Sequence, residues 1–111
     1  MTGGATPWDM FSYAGQLTRD WGIDGTILHF PNQTYFVWSC FPPGPRMQSL
    51  CIAQMNSPTS LGASKVLSEP TLPWERVRNP VNEGAAGLYH GGKTFMAYSA
   101  CLLYTSDAAY E

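Results

Sequence analysis

The chain has 111 residues, of which 44% are hydrophobic and 14% aromatic, the content of one small packed domain rather than a disordered segment. Only 13% of residues are charged, and a net charge of -2 without a basic run offers no footprint for nucleic acid or an anionic membrane, so neither partner is expected. No stretch reaches the roughly 18 to 20 consecutive apolar residues of a membrane span, and the opening MTGGATPWDM lacks the basic and apolar regions of a secretion signal.

Nine Pro and eleven Gly interrupt the chain every few residues, and no window sustains helical periodicity, so the expected class is all-β. Upstream, Phe11, Ser12 and Tyr13 with Gln16, Leu17 and Thr18 suggest the outer strand of a preceding unit. Strands are then predicted over 26–30 and 34–40 around a Pro31-Asn32-Gln33 turn, because TYFVWSC is rich in aromatic and β-branched types. A third strand over 49–55 follows the Pro-rich loop FPPGPRM, and a fourth over 65–68 suits an outer edge. After the turn-rich EPTLPWERVRNP, a hairpin over 87–90 and 93–100 closes on Gly91-Gly92, a dipeptide that accepts positive φ.

The second unit repeats the first. Asp24-Gly25 matches Glu83-Gly84 at a spacing of 59 residues (83 − 24), and TYFVWS at 34–39 matches TFMAYS at 94–99 at a spacing of 60 (94 − 34). Each unit reads acid, Gly, strand, turn, Thr-aromatic-x-x-aromatic-Ser, as successive propeller blades would. An acid just before the innermost strand of a blade points toward the central channel, so Asp24 and Glu83 are expected to converge there. Two converging carboxylates suit acid–base chemistry on a neutral, polyhydroxylated substrate. The bland alternatives are an ordinary Asp-Gly turn and a solvated loop acid.

WGIDGTILHF, QTYFVWSC, QSLCIAQMNSPTSL, Pro-Trp-Glu at 73–75, VNEG and GKTFMAYSA together resemble glycoside hydrolase family 43, especially its fungal α-L-arabinofuranosidase-like members, over nearly all of residues 6–100. The resemblance implies a fragment of a five-bladed β-propeller: about one full four-stranded antiparallel blade plus parts of two neighbours. It also implies an inverting glycosidase acting on arabinose- or xylose-containing plant cell-wall polysaccharide. Glu83 would be the general acid, and Asp24 would orient it and favour its protonated form. The third carboxylate, a general base, matches no residue; Asp9 and Asp20 stand in the wrong context, so this stretch alone is expected not to turn over substrate. The family's Pro after Glu-Gly is Ala85 here, which is expected to loosen the backbone beside Glu83. No cofactor is expected, with a channel calcium left open for the complete enzyme.

The rival reading is a non-catalytic propeller module binding glycan or protein, and a third is that the isolated chain has no function. Residues 1–100 are taken as the propeller portion. Residues 101–111, CLLYTSDAAYE, resemble a translated sequencing-library adapter and are expected to be non-native. Asn32 heads an Asn-Gln-Thr sequon on a predicted hairpin tip, a candidate glycosylation site that fits an extracellular location. Cys40 and Cys51 read most simply as small buried hydrophobes, with a bridge between them left open. Trp38 and Tyr98 are expected in the core, and His29 and His90 at exposed turns. Ser39 and Ser99 lack a nucleophile elbow.

Overall fold

The computed structural model describes residues 3–44 and 47–101. Six strands run in chain order: β1 (Gly22–Phe30), β2 (Gln33–Cys40), β3 (Ser49–Ser57), β4 (Ser60–Ser68), β5 (Asn82–His90) and β6 (Lys93–Ala100). The first four form one antiparallel sheet in the order β1-β2-β3-β4, and β5-β6 form a second. This is the all-β architecture expected: one complete propeller blade and the inner hairpin of the next. Among the described residues no α-helix occurs, only the 3-10 turn Pro73–Arg76 between the two sheets.

Turn chemistry sets the hairpins. Phe30 pairs with Gln33, leaving Pro31-Asn32 as the loop, and Gly91 and Gly92 sit at φ +56° and +72°, which glycine adopts without steric cost. The predicted strands were too short at several ends. β1 and β5 begin early because each continues through a bulge, and β3 and β4 extend to a tight Pro58-Thr59 turn between Ser57 and Ser60. The upstream strand is not formed: residues 3–20 contain only an isolated bridge at Ser12.

Alternation along the strands sorts the blade into two faces. Val37 and Leu50 join Leu28 on the face that meets the second sheet, where they pack with Ala85, Tyr35, Ile52, Met96 and Tyr98. Gly87 permits this approach, since a Cβ there would lie 2.5 Å from Leu28. Val37 and Leu50 are fully buried, each contributing about 1.5 to 3 kcal/mol by removal of apolar surface from water. The opposite face gathers Trp38, Cys40, Cys51 and Ala53 with Phe36 and Leu61.

On that second face Cys40 and Cys51 form a disulfide, with Cα atoms 5.9 Å apart, so the reading of two simple hydrophobes is corrected. The register explains the pairing. Cys40 lies opposite Ser49 and Cys51 opposite Trp38, which makes the two cysteines diagonal neighbours on one face of adjacent strands.

Candidate active site

β1 and β5 are the first strands of their sheets and lie against each other across the blade boundary. Each carries the same irregularity near its start. On β1, Ile23 faces Ser39 and Thr26 faces Val37, so Asp24 and Gly25 together oppose Trp38; on β5, Glu83 faces Ser99 and Ala86 faces Ala97, so Gly84 and Ala85 oppose Tyr98. Two residues against one is a β-bulge, and its first residue is left-handed in both blades: Asp24 at φ +53°, Gly84 at φ +62°.

The backbone repeat is therefore 60 residues throughout (83 − 23, 84 − 24). Asp24 is the counterpart of Gly84, and Glu83 the counterpart of Ile23, which corrects the sequence match of acid with acid. Matching Asp-Gly to Glu-Gly slid the frame by one place, because the bulge and not the dipeptide governs register. The two carboxylates still lie near the starts of neighbouring strands, but one position apart in the register. Asp24 is exposed, whereas Glu83 is only 8% exposed, and among the described residues no hydrogen bond joins them.

Glu83 is held from the β2–β3 connection. The Gln48 side-chain amide donates to Glu83 Oε2 at 3.3 Å and to Ser39 Oγ at 2.7 Å, while the Ser39 hydroxyl donates to the Asn82 carbonyl at 2.8 Å. Backbone bonds tie the same residues: Gln48 N–H to Pro80 O at 3.2 Å and Asn82 N–H to Gln48 O at 2.8 Å. The residue before the acid is thus anchored through both its peptide groups. Ala85 fills the core beside Leu28, Val37 and Leu50.

A second carboxylate, Glu75, is almost fully buried on the far side of Asn82. It accepts from the Leu72 backbone N–H at 2.8 Å, the Tyr98 hydroxyl at 2.7 Å and the Asn82 amide at 3.1 Å. Burial pushes the Glu75 carboxyl up, but hydrogen bonds from Leu72, Tyr98, Asn82 and Thr71 outweigh it and hold the group below its ordinary value. Burial, together with the neighbouring Glu75 carboxylate, pushes the Tyr98 phenol up. Glu75 is thereby an ionised strut that fixes Asn82 and Tyr98. The Pro-Trp-Glu motif contained it, yet nothing in the spelling separates a strut from a reacting acid.

The remaining candidates fall elsewhere. Trp21, the first residue of WGIDGTILHF and not itself a candidate, stacks obliquely on Phe41 at 4.8 Å, and both rings are half-exposed. Trp38 is buried and Tyr98 half-buried, as core aromatics, and His29 and His90 are exposed. Ser39 is fully buried and serves the Gln48 link. Asp9 accepts from the Thr6 N–H of its own turn, and Asp20 is exposed. Asn32 is exposed at the β1–β2 turn. Cys101 is buried, with its N–H bonded to Val81 O; the rest of the run expected to be non-native, 102–111, lies outside the described residues. Among the described residues no group of three or more His, Cys, Asp and Glu converges as a metal site requires. A cavity of about 670 Å³ between the sheets is lined mainly by apolar side chains, including Leu28, Ile52, Leu67 and Phe95, and contains neither Asp24 nor Glu83.

A blade whose neighbour's first strand carries a buried acid near its start is a frame compatible with a glycosidase. The chain belongs to that class through one family: residues 4–110 match the model of glycosyl hydrolases family 43, and the chain is a member of it. It is 38% identical over 90 residues to an extracellular exo-alpha-(1->5)-L-arabinofuranosidase of Streptomyces avermitilis, covering 79% of this chain and 18% of that protein. It is 34% identical over 105 residues to alpha-L-arabinofuranosidase B of Pyricularia oryzae, covering 86% of this chain and 21% of that protein. The crystal structure of an alpha-L-arabinofuranosidase from Lactobacillus brevis superposes with a TM-score of 0.71 at 30% identity, covering 79% of this chain and 29% of that one. The chain thus spans about a fifth of the length of the first two relatives.

Proposed function

We propose that this chain carries two of the three carboxylates of an inverting glycosidase that releases arabinofuranosyl or xylosyl units from plant cell-wall polysaccharide. Glu83 is the general acid, donating a proton to the departing glycosidic oxygen, and Asp24 orients it and favours the protonated form. The observation that supports this most is the pair of bulges: they set an exposed and a buried carboxylate near the starts of two adjoining first strands. An acid and a base on opposite faces of a sugar need about 6.5 to 9.5 Å between them to admit the attacking water. The base is assigned to no residue of this chain, so catalysis requires a carboxylate from outside it. The reaction uses carboxylates and water and needs no cofactor. Extracellular location is part of the same proposal, supported by the Cys40–Cys51 bridge, which persists in an oxidising compartment.

The test uses a polypeptide of the relatives' length that carries this chain. Replacing Glu83 with Gln should lower kcat by about 10²- to 10⁴-fold on arabinosyl substrates with poor leaving groups. Substrates with activated aryl leaving groups, which depart without protonation, should lose far less. Equal losses on both would refute the acid assignment.

A further inference from the structure

We propose that Gln48 is a positioning residue that assigns the proton of Glu83 to Oε1; the inference rests on Glu83 being the general acid. A primary amide nitrogen carries two hydrogens, and here one goes to Ser39 Oγ and the other to Glu83 Oε2. The Ser39 hydroxyl has already given its proton to the Asn82 carbonyl, so its oxygen can only accept from Gln48. Turned over, the amide would aim its carbonyl oxygen at two acceptors, Ser39 Oγ and the carboxylate. The network therefore keeps Gln48 as a donor, and its N–H favours the unprotonated, carbonyl-like oxygen at Glu83 Oε2, since a protonated oxygen is the weaker acceptor. Oε1 is left as the oxygen that holds and delivers the proton.

The donor is also neutral. A Lys or Arg at 48 would hold Glu83 ionised and unable to donate, whereas an amide orients the carboxyl without adding charge. Gln48 moves with the strand it serves, since its backbone bonds to Pro80 and Asn82 lie immediately before Glu83. Its sequence signal was slight: it is merely the first residue of QSLCIAQMNSPTSL, after a Pro-rich loop.

Two measurements test the proposal. In the 111-residue chain labelled with ¹⁵N, the Gln48 side-chain amide resonances should shift with a single carboxylate titration that disappears in Glu83→Gln. A Gln48 signal that does not titrate, or titrates unchanged in Glu83→Gln, overturns it. In the longer polypeptide, Gln48→Met should lower kcat by about 10- to 100-fold with KM little changed, and move the basic limb of the pH–rate profile upward, because the ionised carboxylate loses a hydrogen bond. Gln48→Lys should move that limb downward, and Ser39→Ala, which frees the amide to turn over, should cause an intermediate loss. Equal losses in all three variants with an unmoved profile would mean a structural role only. If the amide follows Glu83 yet Glu83→Gln retains activity on poor leaving groups, the hydrogen bond stands and the acid assignment fails.

Discussion

Asp24 occupies a backbone conformation that its counterpart in the next blade, Gly84, adopts freely. A left-handed φ costs an L-residue about 1 to 2 kcal/mol, with Asp toward the low end because its short side chain tolerates the region. Asp24→Gly relieves that cost but restores about 0.5 to 1 kcal/mol of chain entropy to the unfolded state. The side chain is exposed, so little packing is lost. The expected result is a fold unchanged or stabilised by up to about 1 kcal/mol. The reciprocal change, Gly84→Ala, should destabilise by about 1 kcal/mol purely through the backbone, since the nearest atom to an added Cβ is Ser99 Oγ at 3.8 Å. For a chain of this size 1 kcal/mol corresponds to roughly 4 to 8 °C in Tm. Urea unfolding followed by tryptophan fluorescence measures both variants, and activity of the longer polypeptide measures the price in function. Asp24→Gly losing more than about 1 kcal/mol of stability would refute the argument, since it would show that the carboxylate supports the bulge.

Glu75 gives the fold an acid-side limit. Its folded value lies below the ordinary 4.5, so the stability it contributes is present above about pH 4.5 and is lost as pH falls through the lowered value; Glu75→Gln should flatten that part of a Tm-against-pH curve while lowering Tm at neutral pH. Tyr98 acts in the opposite sense: its raised value means that stability is present below the ordinary 10.0 and is lost as pH rises beyond it, an effect absent in Tyr98→Phe. Reducing the Cys40–Cys51 bridge, which spans 11 positions, should cost about 2 to 3 kcal/mol in urea unfolding by restoring loop entropy to the unfolded chain. Expression in a glycosylating host should add mass at Asn32 that N-glycosidase removes and Asn32→Gln prevents.

The hairpins were legible because aromatic and β-branched runs flank Pro-Asn and Gly-Gly turns, and those cues act locally. The strand ends at 22 and 82 were not, since a bulge hides in an alternation that looks broken at Asp24-Gly25 and Gly84-Ala85. The same device explains why the two acids could be found yet placed one residue out of step. The disulfide depended on cross-strand register, which spacing between two cysteines does not reveal. Gln48 and Glu75 depended on contacts between the sheets: Gln48 reaches Glu83 across the blade boundary, and Glu75 joins the connecting turn to Asn82 and Tyr98. Composition marks neither residue.

The two sheets are joined unevenly along their length. Near Glu83 they share main-chain hydrogen bonds through Gln48, Pro80 and Asn82, while toward the other end of β1 and β5 the hydrogen bond between them among the described residues is that of the Tyr89 hydroxyl, accepting from His29 N–H at 2.8 Å beside the large apolar cavity. Such a joint behaves like a book bound at one edge. Fluctuations that part the pages begin at the loose margin and die away toward the spine, so amide exchange at 29–30 and 89–90 should run ahead of that at 81–83. Glu83 sits in the binding, where thermal motion displaces it least.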